Sequence, residues 1–488
     1  MSTIHVSQIT QTVSQLCIDA NYYLSGGIKS CFIKSLENER HDISRRITEI
    51  LVENADIAAR TNVPICQDTG MAVVFVEIGQ GVRIEGGSLR EAINAGVADG
   101  YARGYLRKSV VADPITRVNT NDNTPAVIHY DIVDGDRLTI TVAPKGFGSE
   151  NMSALVMLTP SAGLAGVEDF VVKTVAGAGS NPCPPIIVGV GVGGTMEKAA
   201  LMAKRALLRD LGTPNDDPSW AEVEQRLLGR LNELNIGPAG QGGSLTAMGV
   251  HIDAYPTHIA GLPVAVNIGC HVTRHAGAAL GGGVAAASAP AAPEALASGA
   301  TRFAGDAAPG PGPGISGKKL CLPLSQSDIA ELRAGDMVLL SGPMYTARDA
   351  AHKRLVEMLE RGEQPPFDLN GQAVYYVGPC PAKPGQIIGS AGPTTSGRMD
   401  KYSPALIARG LKLMIGKGER SPEVHKSIAD HGGAYFVAVG GAGAYMARCV
   451  KSVEVIAFDD LGTEAVHLLE VEDFPVIVAI DKDGNTIE

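Results

Sequence analysis

Residues 276–316 read AGAALGGGVAAASAPAAPEALASGATRFAGDAAPGPGPGIS, and this composition divides the chain. Alanine, glycine and proline dominate the stretch and end it in Pro309-Gly310-Pro311-Gly312-Pro313-Gly314. Such a run offers little to a packed core and reads as a linker. The expected organisation is a domain over 1–275, a linker over 276–316 and a second domain over 317–488. The length agrees, because 488 residues exceed what one hydrophobic core ordinarily organises.

Outward from the linker, the first part reads as helices to about residue 60, then as strands and helices. MAVVFVEI at 71–78 is a strand. Two more, Ala126–Val133 and Arg137–Ala143, flank Asp134-Gly135-Asp136, which signals a hairpin. Gly189-Val190-Gly191-Val192-Gly193-Gly194 matches G-x-G-x-x-G between a strand and a helix. No second strand ending in an acid follows, so the match reads as a close-packing turn rather than a dinucleotide site. Beyond the linker, helix and strand alternate again. The fold class expected is α/β in the mixed α+β sense.

Lys and Arg total 41 against 52 Asp and Glu, a net charge of −11. That balance argues against nucleic acid or an anionic membrane as partner. Met1 to Thr12 carries no basic and apolar leader, and no long uninterrupted apolar run appears. The eight cysteines are scattered. Together these features predict a cytoplasmic protein in a reducing compartment.

The chemistry sits in turns. Gly392-Pro393-Thr394-Thr395-Ser396-Gly397-Arg398 offers hydroxyls, backbone N–H groups and a guanidinium, a set suited to a carboxylate. Cys66, Cys183 and Cys270 each occupy a Gly/Pro-bordered loop at a strand edge. No C-x-x-C pair is present, so a zinc ribbon is poorly supported. Three isolated thiolates suit an iron–sulfur cluster with one open iron; packing as small apolar side chains is the other reading.

PICQDTG (64–70), GSNPCPP (179–185), THIAGLPVAVNIGCH (257–271), YTARDAAH (345–352), GPTTSGRMDKY (392–402) and IGKGER (415–420), in this order, resemble the class I iron–sulfur fumarate hydratases and their tartrate dehydratase relatives. The resemblance implies a fusion of parts that are separate α and β subunits in some relatives. Its fold would be a cluster-binding N-terminal domain with a swivelling β/β/α C-terminal domain. It also implies a [4Fe–4S] cluster on Cys66, Cys183 and Cys270. Gln67, Asp68, Arg107 and His258 would bind substrate from the first domain, and Arg348, Thr394, Arg398 and Lys417 from the second. Thr394, with Asp68, would handle the proton. The substrate implied is a small dicarboxylate (fumarate, with L-tartrate or mesaconate as alternatives), and the assembly a homodimer. A non-catalytic iron–sulfur sensor would have no use for the Arg, Lys and Thr set.

Overall fold

The computed structural model describes residues 1–282 and 317–487. Most of the expected linker lies outside the described residues. Its first six residues do not behave as linker: Ala276–Gly281 is a strand, paired antiparallel with Arg137–Lys145. Small residues serve there because Ala276 and Leu280 pack inward against the first domain's core.

The first half opens with a short strand, Ser2–His5, ahead of helices Val6–Tyr22, Gly26–Asn38 and Asp42–Thr61. In the third helix Ile47, Ile50, Leu51 and Ile57 recur at helical spacing and are buried. Asn62 closes it in the left-handed region, φ 52°. Two four-stranded sheets follow. One runs Ala276–Gly281, Arg137–Lys145, Met71–Gly79, Val127–Val133; the other runs Ala154–Leu158, Leu262–Gly269, Ile186–Gly193, Ala247–Tyr255.

The hairpin expected at residues 134–136 is absent. Val127–Val133 and Arg137–Lys145 each pair with Met71–Gly79, on opposite sides. The Asp134–Asp136 connection instead passes over the end of that central strand. A Cβ on Gly79 would meet the Gly135 carbonyl oxygen at 2.7 Å, so a side chain there would obstruct the crossing. The 189–194 glycines also act by their bareness: Cβ atoms on Gly189 and Gly191 would strike the backbone of helix Met196–Ala206 at Ala203 and Ala199. They permit close strand-to-helix packing, as the sequence predicts.

The second half carries a seven-stranded sheet that closes on itself. Met337–Thr346 pairs with Ala373–Tyr375, then Leu413–Gly416, Ala434–Val437 and Val466–Ile480 follow, and the last returns to pair with Met337–Thr346. Alternation sorts each strand's side chains between two cores. Tyr375, Leu413, Ile415 and Phe436 enter one cluster; Val374, Met414, Tyr435 and Val437 enter the other, under the helices. The first of these clusters also contains Phe32, Ile47 and Ile50. The halves therefore share a core.

Candidate active site

Register explains how the first half gathers its loops. Met71 pairs with Lys145, and Ile187 with Gly269, so each sheet presents a strand start beside a strand end. The four loops at those ends carry Cys66–Gly70, Lys145–Asn151, Asn181–Cys183 and Cys270–Arg274. They face the second half across a cavity of about 970 Å³.

Ten of the eleven sequence-predicted site residues line that cavity: Cys66, Gln67, Asp68, Arg107, Cys183, Cys270, Arg348, Thr394, Arg398 and Lys417. His258 does not. It is exposed between strands Ala247–Tyr255 and Leu262–Gly269, where its Nδ1 accepts from the Ala260 amide at 3.2 Å. Its reach within this chain is spent on its own turn.

The wall is strongly basic. Of its charged side chains nine are Lys or Arg and two, Asp68 and Glu464, are acids, in a chain of net charge −11. Arg107 contacts Asp68 at 3.3 Å and donates to the Gly378 carbonyl at 2.9 Å, so it ties the halves together. Burial pushes the Asp68 carboxyl up, but the Arg107 and Arg274 guanidiniums outweigh this and hold it below its ordinary value. Asp68 also accepts from the Gly70 and Phe147 amides, at 3.2 and 3.1 Å.

Arg348 is buried at the start of helix Asp349–Glu360. Burial, then the facing Arg107 and Arg398, lowers its pKa to about 10, while Glu464 at 3.4 Å works the other way. Asp349 serves Arg398 more than Arg348: it lies 2.7 Å from Arg398 and 3.9 Å from Arg348. Three guanidiniums crowd one end of the cavity, an arrangement that an anion relieves. Arg398 also donates to Thr394 Oγ1 at 3.2 Å.

The turn carrying Thr394 is held from behind. Its amide donates to the Tyr376 carbonyl at 2.7 Å, and the Lys417 amide donates to its carbonyl at 3.2 Å. Tyr435 donates to Ser396 Oγ at 2.8 Å, and Gln67 donates from across the cavity to the Pro393 carbonyl at 3.0 Å. Any side chain on Gly392 would collide with the Gln67 amide.

The set able to hold a metal centre is the three cysteines. All eight cysteines are free. No three His, Cys, Asp or Glu among the described residues stand close enough to hold a single metal ion. Three thiols spread around a void instead fit a polynuclear cluster, and an all-sulfur set selects iron–sulfur over a hard cation. Cys183 sits at φ 57°, a costly angle for a side-chain-bearing residue, which aims it beside Gly440. Lys417 donates to its sulfur at 2.8 Å. Burial pushes the Cys66 thiol up to about 12, so taking up metal there means releasing a proton. Cys380 is separate: its sulfur packs against the Gln67 carbonyl at 3.6 Å.

Two cavity residues escape a reading by sequence. Lys145, lowered to about 8 chiefly by burial, donates to the Ile268 carbonyl at 2.7 Å and Ser149 Oγ at 2.9 Å. Arg274 donates to the Asp68 carbonyl at 2.5 Å. The only signal for Arg274 is its position four residues after Cys270.

Comparison with known proteins settles the family. A family model described as fumarate hydratase (fumerase) matches residues 10–279, and one described as fumarase C-terminus matches 316–488. The chain belongs to the class I fumarate hydratase family. It is an enzyme of the hydro-lyase kind. The anaerobic class I fumarate hydratase of Escherichia coli K12 is 32% identical over 454 residues, 89% of this chain and 81% of that protein. Fumarate hydratase 2 of Leishmania major is 31% identical over 474 residues, 92% of this chain and 80% of that protein. A Methanocaldococcus jannaschii protein named for L(+)-tartrate dehydratase subunit alpha is 40% identical over 275 residues, 55% of this chain and 96% of that protein. Among the described residues of this fumarate hydratase relative, no helix is long and apolar enough to cross a membrane.

Proposed function

We propose that the protein catalyses reversible hydration of fumarate to (S)-malate, with a [4Fe–4S] cluster on Cys66, Cys183 and Cys270. The observation that carries this reading is the cavity wall, where three thiols stand among nine basic and two acidic side chains. Cys66, Cys183 and Cys270 would hold the cluster, which when bound would supply Lewis acidity toward a hydroxyl and a carboxylate.

The chain's own groups do the rest. Arg107, Arg348 and Arg398 bind the carboxylate remote from the thiols, and their crowding makes a dianion welcome. Charge that builds on that carboxylate as the C3 proton leaves is held by the same guanidiniums. Thr394 Oγ1 is the atom that exchanges the C3 proton. Arg398 donates to it and so steadies the oxygen when it is short of a proton. Asp68 is ionised and engaged with Arg107, which weakens it as a base and suits it to orient water. Gln67 keeps the Thr394 turn against the Cys66 loop. Family likeness further supports a homodimer, and eight free thiols support a cytoplasmic setting.

L-tartrate is the second reading, favoured by the 40% identity to the relative named for tartrate dehydratase. The test is anaerobic turnover of fumarate, L-tartrate and mesaconate by iron- and sulfide-reconstituted protein, repeated after air. Fast fumarate hydration that air abolishes is the expected result. Preference for another diacid keeps the chemistry and replaces the substrate; no turnover with a full cluster overturns the enzyme mechanism.

A further inference from the structure

Among the cations of the cavity, Arg274 and Lys417 are buried with no carboxylate in contact, and Lys417 has the Cys183 sulfur instead. Arg107 faces Asp68 at 3.3 Å, Arg348 faces Glu464 at 3.4 Å, Arg398 faces Asp349 at 2.7 Å, and Lys145 faces Glu150 at 3.4 Å. Arg274, only 6% exposed, makes no ion pair within 4 Å among the described residues. Its Nη2 donates to the Asp68 carbonyl at 2.5 Å and its Nη1 reaches the Val272 carbonyl at 3.4 Å. Its Nε is buried with no partner. A permanently charged guanidinium out of water, with no carboxylate in contact and sharing the Asp68 charge with Arg107, is unfavourable, so a further anion is expected to meet it.

Its two anchors say where that anion lies. Asp68 is on the loop of Cys66, and Val272 is on the loop of Cys270. The second loop is tightened by the Thr273 amide and hydroxyl, both donating to the Cys270 carbonyl, at 2.8 and 2.7 Å. The guanidinium is thereby fixed between the two loops that carry Cys66 and Cys270. Lys417 already attends the third thiol, Cys183, at 2.8 Å.

We propose that Arg274 is a positioning residue that supplies the counter-charge for the metal centre at Cys66 and Cys270. The inference rests on the iron–sulfur reading of those cysteines. A cluster on three thiolates is net negative, and a buried cation beside it favours the more reduced, more negative state. Removing that cation makes the cluster easier to oxidise.

Wild type, Arg274→Gln and Arg274→Lys are reconstituted anaerobically with iron and sulfide. Iron content, the midpoint potential of the cluster by EPR-monitored titration, and the bleaching rate in air are measured for each. Melting temperature is measured on the metal-free proteins. The expected result for Arg274→Gln is a lower midpoint potential, less iron retained and several-fold faster bleaching. Arg274→Lys should restore most of each. The metal-free Arg274→Gln protein should melt no lower than metal-free wild type, because an unpaired buried charge has gone. Unchanged potential and bleaching in Arg274→Gln overturn the proposal, including the case in which only the KM for substrate rises. Loss of iron matched by a lower metal-free melting temperature, without rescue by lysine, also overturns it and leaves a structural role. Wild type that takes up no cluster overturns the iron–sulfur reading itself, a failure visible before any variant is compared.

Discussion

The proposed reaction asks of one hydroxyl, that of Thr394, chemistry that a threonine in water does poorly. Its oxygen accepts from Arg398 at 3.2 Å, and Arg398 is held by Asp349 at 2.7 Å, so the donor stays in place if the hydroxyl is removed. Thr394→Ala should therefore lower kcat by roughly 10²–10⁴-fold, the usual contribution of a positioned acid–base group. KM should change much less, because the carboxylate clamp is intact. Iron and sulfide content should match wild type, since no thiol touches this side chain. Thr394→Ser, which keeps the oxygen, should recover much of the rate. Steady-state kinetics alongside iron analysis decides it: a loss of cluster, or a KM effect with kcat unchanged, would remove Thr394 from the proton's path.

The helix Asp349–Glu360 shows how an element positions charge without touching substrate. It begins at Arg348, and His352, one turn on, is fully buried beneath it. The His352 ring meets the Tyr376 ring edge-on at 5.1 Å, and its Nδ1 lies 3.0 Å from the Arg348 carbonyl. Burial lowers the imidazole from 6.5 to about 4, with Arg420 adding to the effect, so the folded protein holds it neutral. Between those values the unfolded chain binds the extra proton. The stability from this residue is thus complete above the unfolded value and is lost as pH falls from 6.5 toward 4. His352→Gln removes the titration, whatever it costs at neutral pH. The gap between wild type and variant should narrow by about 2 kcal/mol from pH 7 to pH 5, at ~1.4 kcal/mol per pH unit. Urea unfolding at the two pH values measures it, and a constant gap would mean that His352 is not held neutral. The neighbouring elements also mark the reach of sequence reading. Strand periodicity identifies Met71–Gly79 and both strands beside it, but a turn signal specifies a reversal and not a partner. The mispaired hairpin turns on Gly79, whose missing side chain lets residues 134–136 cross.

Across the whole molecule, the site was legible wherever a residue's chemistry is carried by its own local motif, as for Cys66-Gln67-Asp68 and Thr394 to Arg398. Arg274 and Lys145 were not, because each is placed by a backbone carbonyl far off in sequence, that of Asp68 or of Ile268, and no spacing announces such a meeting. His258 carries a strong motif, yet its side chain is exposed and does not line the cavity within this chain. The two-part organisation was legible as well, yet composition could not reveal how firmly the parts are joined. Phe32, Ile47 and Ile50 share a buried cluster with Tyr375, Phe436 and Val476. Along the seam the buried Asn54 accepts from the Tyr445 amide at 2.9 Å and donates to the Gly441 carbonyl at 3.2 Å. The Gly443 amide donates to the Ile65 carbonyl at 3.0 Å, and Arg448 meets Glu53 at 2.9 Å. Rotation of one half on the Cys66 side would break these bonds and open the shared core. The covalent link between residue 282 and residue 317 is then not what holds the halves together. A protease site inserted between them and cut in the folded protein should leave two fragments that elute as one species and keep the cavity between the halves. Apolar burial and desolvated hydrogen bonds of this kind sustain stable association without a tether. Asn54→Ala in the cut protein removes the partner of the Tyr445 amide and of the Gly441 carbonyl, at about 1–3 kcal/mol. It should weaken reassociation roughly 5- to 150-fold in sedimentation or dilution experiments. Separation of the fragments on cutting alone would show that the tether, not the seam, closes the cavity.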